Sequence, residues 1–253
     1  MALDTLTNSL IDGAAAQTVS GITTGYTEFD RHLYHGGWGR KELSCLLCND
    51  GFGKSLALGD MAKNAVQAGF NVLYVALEVA KEIVARLIDN MPDETVSDAS
   101  ECGILKVVDF PLNELTAGAL DAALVGCQMA GTEFDLIVVD CPEFMASEGG
   151  ATYRGLKRLA QKWNAAVLLT VSPNRDGAKS LTMRVTDIGC NWSNVNLFDV
   201  LLSLNATEAE EQAGEARLYW ALSRNTSAET FSLRFKQDRD KLQFFTDFIG
   251  KEY

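Results

Sequence analysis

Proline is scarce in this sequence, with 4 residues in 253, and no low-complexity block interrupts it. This composition argues against a disordered chain. The six cysteines are too few and too scattered for a disulfide scaffold. There is no run of about 18 apolar residues that could span a membrane. The first residues, MALD, lack the charged and apolar regions of a signal peptide. We therefore expect a cytoplasmic protein with reduced cysteines and no membrane partner.

Basic residues are also few: the sequence has 22 Lys and Arg but 34 Asp and Glu, which gives a net charge of −12. Such a balance argues against a protein coated in nucleic acid. The charge is unevenly distributed, however: residues 151–190 carry seven basic and two acidic side chains. We call residues 151–190 the basic segment. Its charges fit either a solvated helix face or a local contact with a polyanion.

Apolar runs alternate with amphipathic stretches through most of the chain, which is typical of a parallel sheet covered by helices on both faces. We predict an α/β fold in which residues 21–253 form one domain after an N-terminal arm or helix at 1–20. Later strands are expected to add antiparallel pairs at one edge. The predicted strands are Leu43–Cys48, Asn71–Leu77, Ile104–Asp109, Leu136–Val139, Ala166–Val171, Val200–Leu204, Leu218–Leu222, Phe231–Phe235 and Leu242–Phe245.

A phosphate-binding loop is predicted between the first strand and the helix that follows it. The segment CNDGFGKS at 48–55 matches G-x-x-x-x-G-K-[ST] except that Cys48 replaces the first glycine. Glycines let backbone N–H groups curl around phosphate oxygens, and the helix N-terminus favours an anion. The lysine supplies a cation to the phosphates and the serine a hydroxyl for Mg²⁺. The predicted nucleotide-binding residues of this loop are Asn49, Asp50, Gly51, Phe52, Gly53, Lys54 and Ser55.

Asp140 ends the apolar run LIVVD at 136–140. A carboxylate after four apolar residues is costly unless it is paired or metal-bound. We predict that Asp140, together with Ser55, holds Mg²⁺. The alternative is a strand-end aspartate that caps the next turn.

Hydrolysis also needs a group that orients or deprotonates water. Glu78 follows the second strand, at the carboxyl edge where ligands of open α/β sheets bind. Glu143, three residues after Asp140, is a competing candidate. Position alone also fits an ordinary solvated glutamate at Glu78.

Three motifs in this order resemble one known family. They are TGYTEFD at 24–30, GGWGRKEL at 36–43 and, after the phosphate loop, NVLYVALE at 71–78. The order is similar to that of the RecA-like motor domain of DnaB-type replicative helicases, and of their phage-encoded, T4-like branch in particular. The resemblance runs from about residue 20 to about residue 245. If the protein is phage-encoded, we expect it to act in the host cytoplasm.

The resemblance implies a homo-oligomer, a hexameric ring, that uses ATP or another NTP with Mg²⁺ to translocate on single-stranded DNA. It implies that Lys54 and Ser55 are the P-loop pair, that Glu78 is the catalytic glutamate and that Asp140 is the Walker B carboxylate. Ser172 falls where the family has a glutamine sensor. A primase and a loader are the partners that it implies.

The family's arginine finger, which reaches the neighbouring subunit's nucleotide, corresponds to Arg224 in LSRNT at 222–226. Leu222 stands where the family has a lysine, which predicts slower hydrolysis. The resemblance also implies two DNA-binding loops. The first, at 145–150, has no basic residue, and its backbone N–H groups at Gly149 and Gly150 are the candidate phosphate ligands. The second, at 174–184, lies in the basic segment and contributes Arg175, Lys179 and Arg184.

The family carries an N-terminal collar domain, whereas only about 20 residues precede the motor here. We therefore expect either a standalone motor subunit or a truncated chain. The apolar pattern at 3–16 resembles the family's linker helix, and it equally fits a frayed terminal arm.

Three functions remain open from the sequence. The first is an NTP-driven helicase motor. The second is a RecA-like recombinase or mediator, although the short loop at 145–150 argues against it. The third is a catalytically weak helicase relative that binds nucleotide and acts as a loader or regulator, which Ser172, Leu222 and the non-basic first loop favour.

Overall fold

The structure is a computed structural model, and it describes residues 21–51, 53–90, 102–146, 151–225 and 229–253. The predicted N-terminal arm at 1–20, Phe52, Gly149 and Gly150 lie outside these ranges. Within them, no helix has the length and apolar character needed to cross a bilayer.

One nine-stranded sheet organises the described chain, in the order β3-β2-β4-β5-β1-β6-β7-β8-β9. Strands from β3 to β6 in this order pair in parallel, and β7, β8 and β9 extend one edge in antiparallel pairs. The predicted fold class is confirmed. The strands are β1 (Leu43–Cys48), β2 (Val72–Ala76), β3 (Leu105–Asp109), β4 (Leu136–Asp140), β5 (Ala166–Val171), β6 (Val200–Asn205), β7 (Glu215–Ser223), β8 (Ser232–Asp238) and β9 (Gln243–Glu252).

The central strands β1, β2, β4, β5 and β6 are buried along their whole length and mostly apolar, because both faces of the sheet are covered. Successive residues point to opposite faces. Val138 therefore packs in one core and Val139 in the other. Helices α1 to α3 cover the first face, and α4 and α5 cover the second. The helices are α1 (Thr27–Asp30), α2 (Lys54–Gln67), α3 (Lys81–Asn90), α4 (Ala117–Met129), α5 (Thr152–Trp163), α6 (Trp192–Val195) and α7 (Glu208–Gln212).

The antiparallel edge shows a different pattern, because only one of its faces is well covered. Buried and half-buried residues alternate along most of β7, whereas most of β9 is exposed or half-buried. Aromatic rings fill the covered side, where Trp220 stacks on Phe231 with ring centroids 4.9 Å apart. This edge extends the sheet beside β6 and away from the strand ends that carry the predicted site.

Candidate functional site

Four parallel strands deliver the predicted site residues to the carboxyl edge of the sheet. The phosphate loop follows β1, and Glu78 comes two residues after β2. Asp140 ends β4 and Ser172 follows β5. The register pairs Ala76 with Asp140, so these strand ends lie side by side. The sequence places these residues in four separate segments, and the sheet brings them together.

The phosphate loop leads directly into α2. Gly53 is the N-cap of this helix, with a φ of +92°, and no side chain caps the helix there. Gly51 also has a positive φ, of +76°. A left-handed backbone favours glycine at both positions. The first backbone N–H groups of a helix have no partner within it, and here no capping side chain occupies them. They are therefore suited to bind an anion.

Lys54 begins α2 and is only 6% exposed. Its Nζ lies 2.6 Å from Asp50 Oδ1 and 3.5 Å from Glu78 Oε2, and it donates to Ser172 Oγ at 3.3 Å. Burial lowers the pKa of the Lys54 ammonium, but Asp50 and Glu78 outweigh burial and raise that pKa above its ordinary value. Lys54 is therefore a fixed cation at the mouth of the phosphate loop.

Asp140 is 2% exposed and accepts hydrogen bonds from three hydroxyl groups. Ser55 Oγ donates at 2.7 Å and Tyr74 OH at 2.9 Å to Oδ2, and Thr170 Oγ1 donates at 3.1 Å to Oδ1. Buried polar groups are costly unless they are hydrogen-bonded, so this arrangement satisfies the carboxylate. It pairs the two residues predicted to hold Mg²⁺, and none of these three contacts caps the turn after β4.

Sequence reasoning missed Tyr74 and Thr170. Both lie inside apolar strands that neighbour β4, and a polar group in a fully buried strand is the signal that could have identified them. Burial and the nearby Asp140 charge raise the pKa of Tyr74 well above its ordinary value, so its hydroxyl stays a donor.

The two candidate water-activating glutamates have different surroundings. Glu78 lies beside Lys54, and its side chain is 37% exposed. Glu143 accepts the backbone N–H of Ser172 at 3.0 Å and the Cys141 thiol at 3.7 Å. Glu143 is therefore engaged in holding the start of the loop after β5. Of the two glutamates, Glu78 is the one that lies beside the lysine of the phosphate loop.

Ser172, at the predicted sensor position, reaches the phosphate loop. In addition to its contact with Lys54, its Oγ donates to Asp50 Oδ1 at 3.2 Å. The hydroxyl thus links the end of β5 to the loop after β1. The side chain of serine is shorter than that of the glutamine found at this position in the family, so Ser172 can make this link only over a short distance.

Arg224 lies at the opposite, amino edge of the sheet. It follows β7, whose last residue, Ser223, pairs with Val200 at the start of β6. Cys48, which begins the phosphate loop, pairs with Leu204 instead. Four residues of strand, or about 13 Å, separate the two positions along the sheet. Arg224 is therefore directed away from the phosphate loop of its own chain.

The three basic residues predicted to bind DNA, Arg175, Lys179 and Arg184, are exposed. Within the described residues none of them forms an ion pair. Two hydrogen bonds anchor their loop to the rest of the chain. Asn49 Nδ2 donates to Ala178 O at 3.4 Å, and Arg217 donates to Thr182 Oγ1 at 2.7 Å. The first of these contacts joins the loop to the phosphate site.

The structure divides the basic segment into two surfaces. The other basic residues lie on α5, where Arg154, Arg158 and Lys162 line a cleft of about 510 Å³ against the start of α4. Lys162 is paired there with Asp121 at 2.7 Å. Only the loop after β5 corresponds to the predicted DNA-binding loop.

No family model matches the sequence. A stretch of 60 residues is 40% identical to a DnaB-like replicative helicase of Enterobacteria phage T4 and spans 23% of this chain and 13% of that protein. The fold matches a solved ATPase domain with a TM-score of 0.75 and 16% identity over 97% of both chains. It also matches a DnaB-like replicative helicase, described with its interactions with primase, with a TM-score of 0.71 and 14% identity. That match covers 92% of this chain and 65% of the other.

Identities this low show a shared fold, and the T4 segment adds a similarity in sequence. The resemblance predicted from the sequence, to the RecA-like motor domain of DnaB-type replicative helicases, is confirmed.

Proposed function

We propose that the chain is an ATP-hydrolysing motor that translocates on single-stranded DNA as a ring, with each nucleotide bound between two subunits. The observation that carries this proposal is the convergence of Lys54, Glu78 and the Ser55–Asp140 pair at the carboxyl edge of one parallel sheet. Ligands of open α/β sheets bind at this edge.

The residues present fit a magnesium nucleotide. Asp140 and Ser55 offer the oxygen ligands that Mg²⁺ prefers, and they already lie within hydrogen-bonding distance of each other. When bound, the ion would neutralise charge on the phosphates. Ser55 and Asp140 would hold it, and Tyr74 and Thr170 would keep the Asp140 carboxylate in place.

The other site residues act on the nucleotide and on water. The backbone N–H groups at 51–55 and the Lys54 ammonium bind the phosphates and stabilise the charge that develops on them. Glu78 accepts a hydrogen bond from the attacking water, orients it and takes its proton as the bond to the γ-phosphorus forms. The leaving group is the nucleoside diphosphate.

A second subunit completes this site. Arg224 lies a strand's length from its own phosphate loop, which supports a role at the nucleotide of an adjacent copy. An arginine supplied in trans stabilises the charge of the transition state. This arrangement supports a closed ring, a hexamer as in the related family.

Single-stranded DNA would bind the exposed cations of the loop after β5. Arg175, Lys179 and Arg184 would contact phosphates, because base-independent translocation requires backbone contacts. Backbone N–H groups at Gly149 and Gly150 remain proposed contacts. The similarity to a helicase described with primase supports a primase as a partner, and a loader remains a proposal.

Steady-state ATP hydrolysis by the full chain, with and without oligo-dT, tests the motor. We expect DNA to raise the rate, and Lys54→Ala and Arg224→Ala to abolish it. Lys236→Ala and Arg31→Ala, which change exposed residues on other surfaces, are the matched controls and should keep wild-type turnover. Turnover that survives Lys54→Ala would contradict the proposal.

A nucleotide-binding regulator without turnover is the second candidate, and Ser172 and Leu222 favour it. It would bind ATP yet show no hydrolysis under any DNA condition. Helical filaments on DNA, seen by electron microscopy in place of rings, would indicate a recombinase.

A further inference from the structure

A buried carboxylate organises the amino edge of the sheet. Glu42 lies just before β1 and is 9% exposed. Its Oε1 is 3.1 Å from His35 Nε2 and accepts the side-chain amide of Asn225 at 2.5 Å. Glu42 and Asn225 are 183 residues apart in sequence. The function described above uses none of these three residues.

Asn225 is the neighbour of Arg224, and Arg224 is itself held in several places. Its backbone N–H donates to Asp199 O at 2.9 Å, and its Nε donates to Phe198 O at 2.8 Å. The guanidinium also donates to Asn196 O. The Arg224–Asn225 pair is therefore fixed from the β6 side through backbone carbonyls and from the β1 side through Glu42.

The Glu42 contact is the one that fixes Asn225 through a side chain on a rigid element. Glu42 adjoins β1 at the centre of the sheet, and Leu43 N donates to the Asp199 carboxylate at 2.7 Å. Glu42 packs closely on Gly39, because a Cβ at that position would lie 2.3 Å from Glu42 Oε2. Burial, assisted by Asp199, raises the pKa of Glu42, and His35 opposes this shift. The buried Glu42 carboxyl retains its hydrogen-bond partners, because losing one of them would leave a buried polar atom unsatisfied.

We propose that Glu42 and Asn225 are positioning residues, whose contact fixes the direction in which Arg224 is presented to the nucleotide of the adjacent subunit. This inference rests on the proposed function. In the proposed function, neither Glu42 nor Asn225 contacts the substrate. Their contact determines where the guanidinium stands, and displacement of a catalytic group by about 1 Å can reduce a rate by about a hundredfold.

Asn225→Asp tests the contact with a change of nearly equal shape. It replaces the amide donor by a carboxylate opposite the Glu42 carboxylate. We expect kcat to fall by about tenfold or more through misplacement of Arg224, with the nucleotide Kd changed by less than about twofold. The double variant Glu42→Gln/Asn225→Asp exchanges donor and acceptor and should recover most of the lost kcat. Asp247→Asn, an exposed change on β9, is the control.

Mixed assemblies separate positioning from folding. Lys54→Ala subunits lack their own site and retain an intact Arg224. Mixing them with Arg224→Ala subunits should restore turnover above the sum of the two alone, which establishes that sites are shared. Mixing them with Asn225→Asp subunits should restore turnover in the same way, since the defective contact then lies next to a dead site.

The outcomes distinguish the inference from the function on which it rests. Absence of turnover in wild type, or of rescue in the Arg224→Ala mixture, overturns the shared motor. With that rescue present, wild-type kcat in Asn225→Asp overturns the positioning role. A kcat loss that neither the double variant nor the mixture recovers also overturns it, because the defect is then one of folding.

Discussion

Asp50 and Lys54 form an ion pair inside the phosphate-binding loop, with Asp50 Oδ1 2.6 Å from Lys54 Nζ. The hydrogen bond from Lys54 lowers the pKa of Asp50, and burial opposes that shift, so the carboxylate is charged at neutral pH. The Asp50 carboxylate thus occupies the place beside the Lys54 ammonium that the phosphates of a nucleotide would take.

Asp50→Asn should therefore tighten nucleotide binding. The Asp50 side chain is 76% exposed, and exposed pairs contribute about 0.2–1 kcal/mol, so we expect the Kd to fall by roughly 1.4-fold to fivefold. Calorimetric titration with a non-hydrolysable ATP analogue measures it. Asp247→Asn removes the same charge at a distance and serves as the control. A weaker affinity in Asp50→Asn would show that the carboxylate assists binding.

Tyr74→Phe removes one of the three hydroxyl donors to Asp140. A hydrogen bond to a charged group contributes about 1.5–3 kcal/mol, and we expect the free energy of unfolding in urea to fall by that amount. Tyr219→Phe, at a half-buried tyrosine on β7 with no hydrogen bond of its hydroxyl among the described residues, should leave stability nearly unchanged. Equal stability of both variants would contradict a structural role for Tyr74.

Removing a cation from the loop after β5 should reduce the salt dependence of single-stranded DNA binding. Each phosphate contact contributes about −0.7 to the slope of log K against log salt. We expect Arg175→Ala, Lys179→Ala and Arg184→Ala each to flatten that slope by about this amount. Arg158→Ala, on the cleft beside α5, should not alter it. Fluorescence anisotropy at several salt concentrations measures the slopes, and a flatter slope for Arg158→Ala alone would move the DNA path to that cleft.

Glu42 should make stability depend on pH. Its pKa is raised in the folded state, mainly by burial, so the folded chain binds more protons than the unfolded chain above about pH 4.5. Its contribution is therefore most favourable at low pH and is lost as pH rises through the folded-state pKa. Glu42→Gln should remove this part of the slope in urea unfolding series. An unchanged slope in that variant would assign the pH dependence to other groups.

Most of the fold followed from local patterns. The apolar runs predicted all nine strands of the described chain, with ends within a few residues for most of them. The signal was strongest for the central strands, because a strand buried on both faces is mostly apolar. Strand β9 was predicted only at 242–245, since its later residues are exposed and carry no such pattern.

The candidate site was predicted less completely. Lys54, Ser55, Glu78 and Asp140 could be named because each lies at the end of an apolar run or in a spaced glycine motif. Tyr74 and Thr170 could not, since their role depends on which strands flank β4. The different surroundings of Glu78 and Glu143 likewise depend on tertiary contacts, such as the one between Glu143 and Ser172.

The sequence by itself determined which segments form strands, which loop carries the spaced glycines with Lys54 and Ser55, and which carboxylates follow buried strands, because these properties depend on neighbouring residues. Only the tertiary structure decided how the segments meet. It gathered four strand ends at one edge, placed Arg224 at the other, and divided the basic segment between a loop and a helix. Strand order depends on how the segments pack against one another across the whole core, and no local pattern encodes it.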